Sequence, residues 1–149
     1  LAGWRAIWEA VPMATEATRI RLDRSLPRPP ADVWAALTQP ALLAQWWVAG
    51  DVQPVVGHRF TLDMGPWGPQ RCEVLAVEPE WLLGYSFGDG SLNTTITWRM
   101  VPEGEGTRLL LEHEGFDLAP PAGKGAFQGM GAGWTHVLQR LYELLAPRN

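Results

Sequence analysis

Few side chains in this sequence are placed to do chemistry, and three groups invite inspection: the run Glu112-His113-Glu114, the lone thiol of Cys72, and the glycines Gly123, Gly125 and Gly129. A histidine between two carboxylates has the composition of a metal ligand set, or of a general base with its partners. The run lies, however, in an alternating stretch from Thr107 to Phe116. Successive side chains of a strand point to opposite faces, so His113 shares a face with Leu109 and Leu111, while Glu112 and Glu114 share the other with Arg108. His58 and His136 have no ligand spacing to it, and no metal is expected. What remains is one titratable group turned inward among apolar neighbours. It would serve as a polar anchor or general base for a molecule entering there, or as a core histidine bonded to a backbone carbonyl or a tyrosine.

Cys72 sits in a strand-like run and reads as a small buried hydrophobe. The three glycines loosely resemble a dinucleotide fingerprint, but no strand follows the helix they open, so the strand-helix-strand unit cannot be built. There is no nucleophile elbow, phosphate loop, or serine or cysteine triad. No cofactor is expected, and whether any catalysis occurs is left open.

The elements that must position His113 are legible from periodicity. Thr18 to Leu26 alternates as a strand, with Ile20 and Leu22 on one face and Arg19, Arg21 and Asp23 on the other. Pro27, Pro29 and Pro30 stop it. A helix runs from Pro30 to Thr38, with proline in its first turn and Val33, Trp34 and Leu37 on one stripe, and Pro40 starts a shorter helix ending near Trp47. The adjacent pair Trp46 and Trp47 cannot both fit one helical stripe, so one is expected in the core and the other at a cavity mouth.

After Gly50 the period becomes two. Runs from His58 to Met64, Gln70 to Glu78, Trp81 to Phe87, Asn93 to Val101 and Thr107 to Phe116 are separated by tight polar turns, the pattern of an antiparallel meander. A helix from about Gly125 to Leu145 closes the chain, carrying Phe127, Met130, Trp134, Leu138, Leu141 and Leu145 on one face. Gly129, Gly131 and Gly133 lie within it, each costing about 1 kcal/mol against alanine, which implies close backbone approach or a loose helix end. The segment from Phe116 to Gly125, with its proline pair, reads either as a gate or as an ordinary connector. The fold expected is therefore α+β: a curved antiparallel sheet of six to seven strands wrapped around a long C-terminal helix, with two short helices after the first strand.

A chain of 149 residues suits one domain without metal or disulfide. Residues 17–147 are expected to form it. Residues 1–16 read as an appendage, helical on the spacing of Trp4, Ile7, Trp8 and Val11, with no catalytic role. Met13-Ala14 has the look of a translation start, which would leave the first twelve residues outside the native chain. The formal net charge of -4 disfavours a nucleic-acid partner, and no apolar run is long enough for a membrane span. A single cysteine and no convincing export signal point to the cytoplasm.

Five segments resemble one family in order: PADVWAALTQPALLAQWW, VVGHRF, CEVLAVEPEWLLGYSF, TTITWRMVPEGEGTRLLLEHEGF and GMGAGWTHVLQRL. Together they look like the family named for the activator of heat-shock-protein-90 ATPase, within the SRPBCC superfamily that includes START domains and the birch-pollen allergen. The resemblance implies the helix-grip fold and a small hydrophobic or aromatic ligand between sheet and helix. Its alternatives are a cyclase-like enzyme acting on an aromatic or polyketide substrate in the same space, with His113 as the candidate catalytic residue, and a chaperone-interacting module. The lining expected is Trp46, Trp47, Phe60, Leu62, Met64, Tyr85, Phe87, Trp98, His113, Phe116, Phe127, Met130 and Trp134, with Tyr85 and Phe87 included if Trp81 also points inward. A filled core is the competing outcome for any of these residues. A homodimer is left open.

Overall fold

A computed structural model describes residues 19–147, apart from 91 and 120. The appendage expected over residues 1–16 lies outside the described residues. Along the chain run β1 (Arg19–Leu26), α1 (Pro30–Thr38), α2 (Pro40–Trp46), β2 (Arg59–Asp63), a single 3-10 turn (Gly65–Trp67), β3 (Pro69–Glu78), β4 (Leu82–Phe87), β5 (Thr94–Glu103), β6 (Gly106–Glu114) and α3 (Pro121–Leu145). The meander from β2 to β6 pairs neighbour with neighbour. β1, carried away from β2 by the two proline-started helices, returns antiparallel to the free edge of β6, so the order among the described residues is β1-β6-β5-β4-β3-β2.

Strand register sets up the interior. One row across the sheet reads Ile20, His113, Ile96, Tyr85 and Val74, and the next places Leu22, Leu111, Trp98 and Leu83 side by side. These inward positions are buried apart from the partly buried Leu22, and Trp98, Ile96, Leu83 and Met100 have no measurable exposure. Between Val74 and Ala76 the ladder slips, bending β3 and leaving Leu75 outward and half-exposed. Trp81 does not point in: it follows Glu80, whose φ of 63° makes the tight turn before β4, and it is 38% exposed. Tyr85 and Phe87 face the interior without it because β4 begins only at Leu82.

The opposite face of the same strands is ionic. Glu112, almost fully buried, meets Arg21 Nε at 3.0 Å and Arg19 Nε at 3.3 Å, with Arg99 Nη1 at 3.8 Å. Glu112 and Glu114 thus point away from His113, and the Glu-His-Glu run forms no ligand set.

Helix α3 begins at Pro121, four residues before the expected start. Proline is favoured in a first turn because its missing N–H has no intrahelical partner there, so the second residue of the Pro-Pro pair opens the helix instead of extending the connector. Helix α3 rests on β1, α1 and α2, at one side of the sheet.

Candidate functional site

Helix α3 packs chiefly on β1, α1 and α2, and a space open to solvent at Gly125 and Gly129 lies between its first half and Met64, Gln70 and Phe87. Three glycines face it. Gly125, Gly129 and Gly133 follow one another at intervals of four, which puts them on one stripe, and a Cβ built on any of them would have nothing within 4 Å. The backbone of α3 is thereby left bare along a cavity of about 320 Å³. Around it stand Ala126, Met130, Trp134 and Val137 of α3, Phe87 of β4, Met64 and Gln70 beside the 3-10 turn, Trp47 after α2, and Leu92. Trp67 stands at the mouth with 78% of its surface exposed, on a turn bounded by Gly65 and Gly68, both at positive φ.

Gly123 is a different case, although it also borders the cavity. A Cβ there would collide with the carbonyl of Asp117, so this glycine lets the segment after β6 press against the helix start.

Of the residues expected to line the space, Trp47, Met64, Phe87, Met130 and Trp134 do so. Trp46, Phe60, Leu62, Tyr85, Trp98, His113, Phe116 and Phe127 do not, and form the packed layer behind or beside the wall. Trp46 is wholly buried and donates its indole N–H to the carbonyl of Ala36 at 2.9 Å, fastening α2 to α1. Trp98 donates to the Tyr85 hydroxyl at 2.9 Å, so Tyr85 is a core partner and no polar contact for the cavity. Phe60 packs edge-on against Tyr85, and Phe127 against Phe116.

The tryptophan pair divides between core and cavity wall, Trp46 in the packed layer and Trp47 on the wall, while staying in contact. Both are buried, with ring centroids 6.0 Å apart. Trp46 ends α2, and Trp47 leaves helical geometry with φ −130° and ψ −92°, which turns its side chain inward beside Trp134 at 4.9 Å. A residue that sequence reasoning missed holds this corner. Arg140 of α3 donates from Nε to the carbonyl of Trp46 at 2.9 Å and from Nη2 to that of Trp47 at 3.0 Å, satisfying carbonyls that the end of α2 leaves open. Arg140→Ala is expected to cost about 1–2 kcal/mol in a urea denaturation series, two charge-assisted hydrogen bonds being lost at a partly buried site.

His113 has no measurable exposure, and both ring nitrogens are engaged. The indole N–H of Trp134 donates to Nδ1 at 3.1 Å, which places the imidazole proton on Nε2; that proton is donated to Thr94 Oγ1 at 2.8 Å, and the threonine hydroxyl passes its own to the carbonyl of Phe87 at 2.9 Å. Every donor in the chain has one acceptor. Burial pushes the imidazole down to about 3, so it is neutral across the ordinary pH range. His113 therefore stands behind the wall, fixing the indole of Trp134 and backing Phe87, at a ring-centroid distance of 5.4 Å, instead of lining the cavity.

Among the described residues, no titratable side chain lines the cavity. Burial also pushes the Tyr85 hydroxyl up, and the Cys72 thiol up to about 12. Sequence reasoning also missed Trp67, Gln70, Leu92, Ala126 and Val137 as wall residues. The available signals were the four-residue glycine period and a tryptophan set between two glycines.

A curved antiparallel sheet gripping a long C-terminal helix, with an apolar space between them, defines the helix-grip class of small domains. The chain belongs to the family described as Activator of Hsp90 ATPase homolog 1-like protein, whose sequence profile matches residues 27–146. Among solved structures it is similar to protein MLL2253 from Mesorhizobium loti, at 36% identity and TM-score 0.76, covering 85% of this chain and 96% of that one. It is also similar to DynU16, a putative protein in the dynemicin biosynthetic locus, at 25% identity and TM-score 0.72, covering 86% of this chain and 47% of that one, about half its length. The Aha1 dimer from Colwellia psychrerythraea shares the fold at 18% identity and TM-score 0.72, covering 85% of this chain and 95% of that one. No curated protein matches. No helix among the described residues is long and apolar enough to cross a membrane.

Proposed function

We propose that this chain binds a small hydrophobic or aromatic molecule in the cavity between the sheet and α3. The observation that carries the reading is the bare stripe of Gly125, Gly129 and Gly133 facing a cavity of about 320 Å³. Each glycine costs the helix about 1 kcal/mol relative to alanine, and a side chain at any of them would take up part of the cavity. The walls are apolar and aromatic, the usual composition of a small-molecule site. The likeness to a protein of the dynemicin biosynthetic locus agrees with a small organic ligand.

The cyclase-like alternative rested on an inward histidine acting as a base. With His113 behind Trp134 and both its nitrogens bonded, the described residues of the cavity wall offer no proton-transfer group, which favours binding. A thermal-shift screen with uncharged aromatic and aliphatic compounds tests it. A ligand present at 100 times its Kd is expected to add about 2.7 kcal/mol of stability. The absence of any shift across a broad library would refute the proposal.

A further inference from the structure

The cavity's size and wall narrow what can fill it. Its volume of about 320 Å³ is roughly twice the ~150 Å³ that accommodates one benzene ring in an engineered apolar cavity, which leaves room for two or three fused rings. One wall is helix backbone without side chains, at Gly125, Gly129 and Gly133, and faces Trp47, Phe87 and Trp134. A rigid flat molecule can lie against such a wall and meet aromatic rings elsewhere without freezing torsions of its own, whereas an alkyl chain must lose them. Among the described residues no ionisable side chain lines the cavity to pair with a charge, which would be desolvated without compensation.

Gln70 offers a polar contact at the wall. Its Nε2 donates to the carbonyl of Trp67 at 3.3 Å, and its Oε1 accepts no hydrogen bond from the described residues. A carboxamide edge beside an apolar cavity suits one hydroxyl or carbonyl on the ligand. From these observations we infer that the occupant is an uncharged, flat molecule of two or three fused aromatic rings, with one hydroxyl or carbonyl group directed at Gln70. The inference rests on the binding role proposed above.

Equilibrium dialysis of the full chain at pH 7 with 2-naphthol, naphthalene, 2-naphthoate and 1-decanol tests it, alongside the variant Gln70→Leu. Expected is 2-naphthol binding at least tenfold tighter than 1-decanol and 2-naphthoate, and several-fold tighter than naphthalene. Gln70→Leu should erase the advantage of 2-naphthol over naphthalene while leaving naphthalene binding unchanged. If 1-decanol or 2-naphthoate equals 2-naphthol, the assigned ligand class is wrong although the binding role survives. An unchanged naphthol advantage in Gln70→Leu removes the anchor. If none of the four probes binds while the thermal-shift library yields another ligand, the assigned class is wrong although the binding role survives; no ligand from either experiment overturns both.

Discussion

Acidification from pH 7 to pH 4 is expected to remove on the order of 3 kcal/mol of stability through one residue, His113. The unfolded imidazole takes up a proton near its ordinary value of 6.5, whereas burial holds the folded one down to about 3. Between those values the unfolded state binds more protons than the folded state, so stability falls as pH falls, by up to about 1.4 kcal/mol per unit. Above 6.5 the contribution is complete and flat. Glu114 works in the opposite sense: burial and the neighbouring charge of Glu112 push its carboxyl up, so the folded state takes that proton more readily. The control is His113→Leu. It leaves the Trp134 N–H without an acceptor and Thr94 without its donor, at a cost of about 2 kcal/mol at pH 7. It also removes the titration. Denaturant midpoints of the two proteins are therefore expected to converge as pH falls from 6.5 and to cross near about pH 5; parallel curves would show that His113 is not the source.

The same residue shows how far sequence reading reaches. Alternation in β6 correctly turned His113 inward and Glu112 and Glu114 outward, because strand parity is local and needs no knowledge of the rest of the fold. Parity does not tell whether an inward side chain meets a packed layer or an empty space. That depends on which strands α3 leans on, a tertiary quantity set by α1, α2 and β1. Hence the element order and the helix-grip architecture were legible, but only Trp47, Met64, Phe87, Met130 and Trp134 of the expected lining reach the wall. Sequence reasoning also read the helical glycines as a cost. It did not see that absent side chains, more than present ones, shape the cavity.

That point yields the second large effect, in which one type of substitution changes sign along a single helix. At Gly129 and Gly133 a Cβ would enter open space, so Gly129→Ala and Gly133→Ala together are expected to stabilise the protein by about 1–2 kcal/mol through helix propensity alone. At Gly123 the same methyl would collide with the Asp117 carbonyl, and Gly123→Ala is expected to destabilise. Extending the side chain separates stability from binding. Gly129→Leu projects into the cavity and should weaken binding of whichever compound gives the largest thermal shift by at least tenfold, while the denaturation midpoint stays level or rises. A leucine at 129 that left affinity intact would mean that the ligand sits elsewhere. One that lowered stability would mean that the space is closed in solution. A helix that gains stability when its glycines are replaced is held below its optimum, and the open cavity is what the glycines maintain in exchange.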